Sequence, residues 1–159
     1  MQMIYFDNNA STWVAPDVLK AMMPYYVEHY GNPSSLHQMG LLAERVLKSA
    51  RQTLSRVIDA PDSEIIFTSG GTESINLALK GMAQALSRKG RHIITAPTEH
   101  KAVLSSLKQL QQEGFEISYA KPDSSGAIAA ESITSLIKPE TILFGLAVGA
   151  VTFVWMMWG

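Results

Sequence analysis

Cysteine is absent from the 159 residues, and this absence excludes several kinds of chemistry. Without a thiol, these residues form no disulfide, no thiolate zinc site and no cysteine nucleophile. Charged residues are also sparse, at 17%, and the net charge at pH 7 is −1. Because no basic run stands out, the sequence gives no electrostatic reason to expect a nucleic acid as partner. We also predict no metal site.

The N-terminal segment lacks the features of a secretion signal. MQMIYFDNNAS has neither a basic start nor a long apolar stretch, so we expect a cytoplasmic protein. The hydrophobic fraction of 47% is typical of a soluble globular domain. The length allows one domain with a proper core, but it is short for two.

Strand-like and helix-like segments alternate along most of the chain. Two helical patterns come first, starting at Pro16 and at about Leu36, and the second has apolar residues at every fourth position up to Ile58. Four short apolar runs then read as strands, with helical patterns between them. The predicted strands are residues 65–67, 92–95, 115–119 and 141–151. Such alternation favours an α/β fold with a parallel sheet covered on both faces.

The C-terminal segment is unusual because residues 142–159 include no charged residue. This length reaches the lower limit for a membrane-spanning helix, and Gly145 and Gly149 form a small-xxx-small pair. Its first half suits a buried parallel strand equally well, and no basic residue follows it. We therefore expect no membrane contact except through this tail.

A turn with paired glycines follows the first predicted strand. In SGGTE, residues 69–73, Gly70 and Gly71 let the backbone approach a ligand closely, and the first N–H groups of the next helix point at whatever lies there. In open α/β folds, ligands bind at this edge of the sheet. The alternative is an ordinary strand-to-helix turn in which Thr72 is the N-cap.

His100 follows the next predicted strand and also begins a helix. Neighbouring strands would therefore present a phosphate cradle and an imidazole at the same edge. A flat imidazole beside a phosphate-anchored ring indicates an aromatic cofactor. The alternative for His100 is a polar residue that only starts its helix.

Four motifs in register resemble one enzyme family. They are FDNNAST at residues 6–12, GNPSSLH at 31–37, FTSGGTE at 67–73 and TEHKAV at 98–103. Together they resemble the N-terminal part of a cysteine desulfurase of the NifS/IscS type, within the class V aminotransferase group. The resemblance runs from about residue 4 to residue 151 and covers less than half of a full family member.

The resemblance implies the parallel-sheet core of a truncated large domain of the pyridoxal 5′-phosphate (PLP) fold type I. Gly71 and Thr72 would bind the PLP phosphate, and His100 would stack on the ring and assist proton transfers as a catalytic residue. His37 is expected to be structural. The family is normally homodimeric, takes the sulfur of L-cysteine as an enzyme persulfide and releases alanine. The sulfur goes to an acceptor scaffold for iron–sulfur cluster or thio-cofactor assembly.

The sequence departs from the family after about Val151. Residues 152–154 replace the family's Asn-Asn-Glu, and the family's ring-nitrogen aspartate, Schiff-base lysine and sulfur-carrying cysteine have no counterpart here. We predict an N-terminal arm (1–15), a partial PLP-binding large domain (16–151) and a divergent hydrophobic tail (152–159). A frameshift in a longer desulfurase gene would explain this ending.

Three alternatives stay open at this stage. The first is a non-catalytic dimerisation module that keeps a PLP-phosphate site, and the second is a membrane-associated product of the hydrophobic tail. The third is a selenocysteine lyase or another class V enzyme. If the residues are expressed as they stand, we expect an inactive and poorly soluble protein, because the sheet ends in an open edge beside an apolar tail.

Overall fold

The computed structural model of the chain describes residues 4–8, 10–148 and 151–156. Two compact units are present, Met1–Phe67 and Thr68–Gly159, and the boundary lies just before the paired-glycine turn. The division into an arm, a large domain and a tail stays a prediction.

The first unit contains two α-helices. Helix α1 spans Pro16–Val27 and helix α2 spans Gln38–Ile58, followed by a single 3₁₀ turn at Asp62–Glu64. The proline at the start of α1 occupies a position where its missing N–H costs nothing. Both predicted helices are therefore confirmed, with α2 beginning two residues later than the pattern indicated.

The turn before α2 requires close contact between two stretches of backbone. A Cβ atom on Gly31 would lie 2.3 Å from the carbonyl oxygen of Met39, and one on Gly40 would lie 2.1 Å from that of Ser35. The His37 side chain closes the turn, since its Nδ1 accepts a hydrogen bond from the Gly40 N–H at 3.3 Å. The GNPSSLH motif thus builds a tight entry into α2.

Burial in the first unit is slight. Gly40 is the only buried residue among those described in residues 4–67. The apolar stripe of α2 is largely accessible, with Leu54 41% and Ile58 60% exposed. The periodicity predicted the helix correctly, but this chain supplies little surface to cover its apolar face.

The second unit is built on a four-stranded sheet. Its strands are β1 (His92–Thr95), β2 (Glu116–Tyr119), β3 (Thr141–Val148) and β4 (Val151–Met156). In space their order is β2-β1-β3-β4. Strand β1 is parallel to both β2 and β3, whereas β4 runs antiparallel to β3.

Three helices accompany this sheet: α3 (Gly71–Leu86), α4 (Lys101–Gln112) and the short α5 (Ala130–Thr134). Apolar residues of α3 and α4 form one core with β1 and β3. Its fully buried members include Leu79, Leu107, Leu110, Ile93 and Leu143. Burying a side chain of this size contributes about 1.5–3 kcal/mol relative to leaving it exposed. The α/β fold with a parallel sheet is confirmed.

Two of the predicted strands differ from the structure. Residues 65–67 form no strand, because no strand of the described chain pairs with them and an unpaired strand leaves its backbone groups without partners. Instead, Arg51 donates to the carbonyl oxygen of Ile65, and Ile66 is 67% exposed. The predicted strand 141–151 ends at Val148, and the chain then returns as β4.

The returning strand changes the expected edge of the sheet. Gly145 pairs with Val154 and Val148 pairs with Val151, so the edge of β3 expected to be open is hydrogen-bonded to β4. Among the described residues, no helix is long and apolar enough to cross a membrane. The charge-free segment is in strands at 141–148 and 151–156, and its residues 149–150 and 157–159 lie outside the described chain.

Candidate functional site

The candidate site lies at the N-terminal ends of α3 and α4. The loop of residues 96–100 connects the carboxyl end of β1 to α4, which is where parallel α/β sheets place ligands. The SGGTE turn leads directly into α3, which packs against α4.

The paired glycines leave space in front of α3. A Cβ atom on Gly70 or Gly71 would meet no protein atom within 4 Å. Gly70 has a φ of 162° and is extended, a conformation open to any residue. Neither backbone strain nor packing therefore requires glycine at these positions, and the lack of side chains leaves the space in front of α3 open.

The first turn of α3 offers hydrogen-bond donors to this space. The Ser74 N–H donates to the Gly70 carbonyl oxygen at 3.1 Å, which closes the first turn of the helix. The N–H groups of residues 71–73 precede that bond and have no carbonyl one turn back. With the Thr72 hydroxyl they form what we call the α3 cradle. Donors at the positive end of a helix dipole suit an anion.

Thr72 is not the N-cap of α3. Gly70 occupies that position and makes no side-chain cap bond, and Thr72 is the second helical residue. The alternative interpretation, in which Thr72 served as a simple N-cap, is therefore wrong. Its hydroxyl is not used to cap the helix.

Glu73 lies beside the α3 cradle and is bonded to the turn. Its Oε2 accepts from the Ser69 N–H at 2.6 Å and from the Ser69 hydroxyl at 2.7 Å. The hydroxyl bond first, and the N–H bond second, lower the pKa of the Glu73 carboxyl. The carboxylate thereby fixes the loop before α3.

His100 is the N-cap of α4. Its Nδ1 accepts a hydrogen bond from the Ala102 N–H at 3.1 Å. In the neutral ring the proton is then on Nε2. The residue is exposed, so its ring is accessible to a bound molecule. His100 therefore does start its helix, as the alternative interpretation expected. The cap uses only Nδ1, so Nε2 takes no part in it.

Thr72 and His100 line the same groove between α3 and α4. This α3–α4 groove has a volume of about 390 Å³. Its other lining residues are Asn76, Lys80, Lys101, Ala102, Ser105, Ser106 and Gln109. The structure therefore brings together the two residues that the sequence singled out, and Gly71 directly precedes one of them.

The polar residues further along the groove were missed by the sequence reasoning. Asn76 and Lys80 follow Thr72 at intervals of four residues, which places all three on one face of α3. Lys80 is joined to α4 by a hydrogen bond to Gln109 Oε1 at 2.7 Å. The four-residue spacing was the available signal, but a polar helical face usually indicates nothing beyond solvent exposure.

The other histidines lie outside the α3–α4 groove. His37 caps α2, as expected for a structural residue, and the rings of His29 and Tyr25 lie 5.9 Å apart on α1 and just after it. His92 lies in β1 and is buried. None of the three lines the α3–α4 groove.

The surroundings of His92 disfavour its charged form. Its Nδ1 lies 2.7 Å from the Thr141 hydroxyl and its Nε2 lies 2.8 Å from the Ser118 hydroxyl. Because Thr141 Oγ1 already accepts from the Lys138 N–H, the Thr141 hydroxyl is placed to donate its own proton to Nδ1 of His92. Burial, with a smaller contribution from the Lys138 charge, lowers the pKa of His92.

Comparison with known proteins identifies the family. The sequence profile of the aminotransferase class-V family matches residues 4–151. The chain belongs to the class-V aminotransferase family. Within this family, it is 42% identical over 141 residues to the cysteine desulfurase IscS of Methylococcus capsulatus, and 46% identical over 146 residues to that of Shewanella loihica. The resemblance to NifS/IscS-type cysteine desulfurases is therefore confirmed.

Two solved structures share the fold of this chain. A structure titled "NIFS-like protein" superimposes with a TM-score of 0.87 at 43% identity, covering 91% of this chain and 40% of its own. A structure titled "SspA in complex with cysteine" gives a TM-score of 0.83 at 39% identity, covering 89% and 41%. The fold is thus that of the PLP fold type I large domain, in part.

The chain spans little more than a third of the curated relatives. The alignments cover 88% and 90% of this chain, but 35% and 36% of the two desulfurases. The matched part contains the α3 cradle and His100. The activity of the complete relatives is therefore only proposed for this chain.

The residues at the site fit the cofactor of the family. A phosphate needs several converging N–H and O–H donors and close backbone approach, and the α3 cradle supplies both. An aromatic ring needs a flat partner, and His100 on the same groove is one. The fit therefore covers the phosphate and one face of the ring.

Proposed function

We propose that the chain is the PLP-phosphate-binding part of a cysteine desulfurase fold. One observation carries this proposal: Thr72, at the start of α3, and His100, at the start of α4, line one groove. The start of α3 contributes a glycine turn with backbone N–H groups to this groove, and the start of α4 contributes an imidazole. Packing of two helices against each other does not by itself require these two groups to lie on one groove.

Different residues of the chain bind different parts of the ligand in this proposal. The N–H groups of residues 71–73 and the Thr72 hydroxyl would hold the phosphate, and the His100 ring would serve as the flat partner of the pyridine ring. Since Nδ1 of His100 accepts the Ala102 N–H, Nε2 is the atom that exchanges a proton with the ligand. When bound, PLP supplies an electron sink for breaking bonds at an amino acid.

The substrate proposed for the whole fold is L-cysteine, and the product is L-alanine with enzyme-bound sulfur. A neighbouring structure is titled as a complex with cysteine, and the matched curated relatives are desulfurases. A homodimer, a cytoplasmic location and a sulfur-acceptor scaffold for iron–sulfur cluster assembly belong to the same proposal. The 159 residues include no cysteine, so they cannot themselves carry sulfur as a persulfide.

Catalysis is therefore not expected from these residues alone. The second candidate function is a non-catalytic module that binds the PLP phosphate, and the absence of a thiol favours it for the isolated chain. Incubation with PLP and L-cysteine separates the two candidates. Alanine production at a rate above that of free PLP would support the enzyme, whereas binding without alanine would support the module.

Binding of the phosphate is tested with ligands that cannot react with lysine. Pyridoxine 5′-phosphate and pyridoxine share a ring and lack the aldehyde, so their difference isolates the phosphate. We expect the phosphate ester to bind at least about tenfold more tightly, because hydrogen bonds to charged groups contribute about 1.5–3 kcal/mol each. Ligand fluorescence measures both dissociation constants.

The matched variants are Gly71→Ala and Gly81→Ala. Both glycines lie in α3, and a Cβ atom on either meets no protein atom within 4 Å, so neither change disturbs packing. Gly71→Ala fills the α3 cradle and should weaken the phosphate ester about tenfold. Gly81→Ala lies outside the groove and should leave the affinity unchanged. Equal affinities for the two ligands, or equal effects of the two variants, would refute phosphate binding at the cradle.

A further inference from the structure

The α3–α4 groove extends well beyond the α3 cradle. Thr72 and Lys80 are eight residues apart on one face of α3, so about 12 Å of helix separates them. On the facing helix, Gln109 lies nine residues after His100 and marks the same far end. A phosphate and ring at Thr72 and His100 occupy one end only.

A hydrogen-bonded series holds Lys80 at this far end. Glu113 Oε1 accepts from Gln109 Nε2 at 3.1 Å, and Glu113 Oε2 accepts from Gln84 Nε2 at 2.9 Å. With its amide nitrogen bonded in this way, Gln109 presents Oε1 to the Lys80 ammonium at 2.7 Å. The ammonium is thereby positioned by a neutral amide and keeps further N–H donors for a ligand.

The lining of the groove suits a negative charge. None of its nine lining residues is a carboxylate, two of them are the lysines Lys80 and Lys101, and most of the others carry hydroxyl or amide groups. Ala102 is the one lining residue with an aliphatic side chain. The far end therefore combines a positioned cation, polar hydrogen-bonding groups and open volume.

We propose that the far end of the α3–α4 groove is a second oxyanion subsite, centred on Lys80 and Gln109 and separate from the α3 cradle. Its ligand is a phosphate or carboxylate group, either free or as part of an elongated molecule whose other end lies at the cradle. The inference does not depend on PLP binding, since it concerns other residues of the groove.

The two ends are tested together with site-resolved NMR of the full chain. Inorganic phosphate and acetate are titrated separately, and the side-chain amide of Gln109 and the backbone amide of Gly71 report on the two ends. We expect a saturable shift at Gln109, stronger with phosphate if a phosphate is the preferred oxyanion and stronger with acetate if a carboxylate is. Lys80→Met should weaken that response about tenfold and leave Gly71 unaffected.

Lys108→Met is the matched control, since Lys108 is an exposed lysine of α4 outside the groove and should leave both responses intact. No saturable shift at Gln109, or an equal loss in the two lysine variants, would overturn the subsite. A shift at Gly71 alone would overturn the subsite and keep the cradle. A shift at Gln109 alone would keep the subsite and refute the cradle.

Discussion

The two units of the chain use similar helices very differently. In the first unit, α1 and α2 have apolar stripes, yet Gly40 is the only buried residue that the structure describes there. In the second unit, apolar residues of α3 and α4 pack on β1 and β3 in a hydrophobic core. An amphipathic pattern thus determines that a helix forms, whereas burial requires a facing surface that only the second unit contains.

The site follows the same division. The α3 cradle, His100 and the groove between them all belong to the second unit, where packed helices fix the direction of their N-termini. The first unit also contains a histidine cap, His37, whose ring closes the turn before α2 and is not among the residues that line the α3–α4 groove. A packed core therefore fixes the position of a helix N-terminus, so that its groups can line a groove.

Core truncation should show the largest difference between the units. Leu107→Ala removes a fully buried side chain from α4 and should lower the free energy of unfolding by about 2–5 kcal/mol. Leu54→Ala removes a side chain of α2 that is largely accessible and should cost well under about 1 kcal/mol. Urea unfolding measures both. Equal losses would mean that α2 is buried as deeply as α4.

Acid should weaken the second unit through His92. Burial, with the Lys138 charge, lowers the pKa of His92 in the folded state, so the unfolded chain binds the proton more readily. Stability is therefore fully present above the ordinary pKa of about 6.5 and falls as the pH drops below it, toward the lowered value. Urea unfolding at a series of pH values, from roughly one unit above that ordinary pKa to roughly two units below it, measures the fall.

His92→Gln supplies the comparison for this pH effect. It removes the titrating ring and keeps a polar side chain beside Thr141 and Ser118, so the slope of stability against pH in this window should decrease. Glu116, whose pKa is lowered chiefly by its hydrogen bond to Lys138, acts in the same direction but at lower pH. An unchanged slope in His92→Gln would show that the loss comes from another group.

Replacing the two histidine caps should give the smallest change in stability and the clearest difference in binding. His37→Asn and His100→Asn keep a side chain that can cap a helix, so each should change stability by less than about 1 kcal/mol. Only His100→Asn removes a ring from the groove, and it should weaken pyridoxine 5′-phosphate severalfold. Thermal unfolding and ligand titration on both variants check this, and equal affinities in the two would contradict the stacking role.

The sequence predicted the helices, the parallel strands and the meeting of Thr72 with His100. The helices and strands follow from local periodicity, and the position of His100 follows from the rule that ligands bind at the carboxyl end of a parallel strand. The strand expected before Thr72 is absent, so it is the packing of α3 on α4 that brings Thr72 to the same groove. Residues 65–67 were misassigned because an apolar run forms a strand only when another strand pairs with it. The antiparallel return of β4 was missed, since the apolar run beyond Val148 shows no alternation that marks a hairpin.

The remaining parts of the site depend on contacts between distant residues. Lys80 and Gln109 are 29 positions apart, and only the packing of α3 on α4 brings them within hydrogen-bonding distance. The sequence also left open that Thr72 is only the N-cap of α3, because a hydroxyl side chain near a helix start is the usual cap. Gly70 takes that position and leaves the Thr72 hydroxyl uncommitted to capping.

One titration tests the central claim most directly. Pyridoxine 5′-phosphate is added to the full chain, and NMR follows the Gly71 amide and the His100 ring together. We predict that both signals move with one dissociation constant, and that pyridoxine without its phosphate moves neither at the same concentration. A shift of the His100 ring with no change at Gly71, or equal responses to the two ligands, would contradict a phosphate-binding cradle at the start of α3.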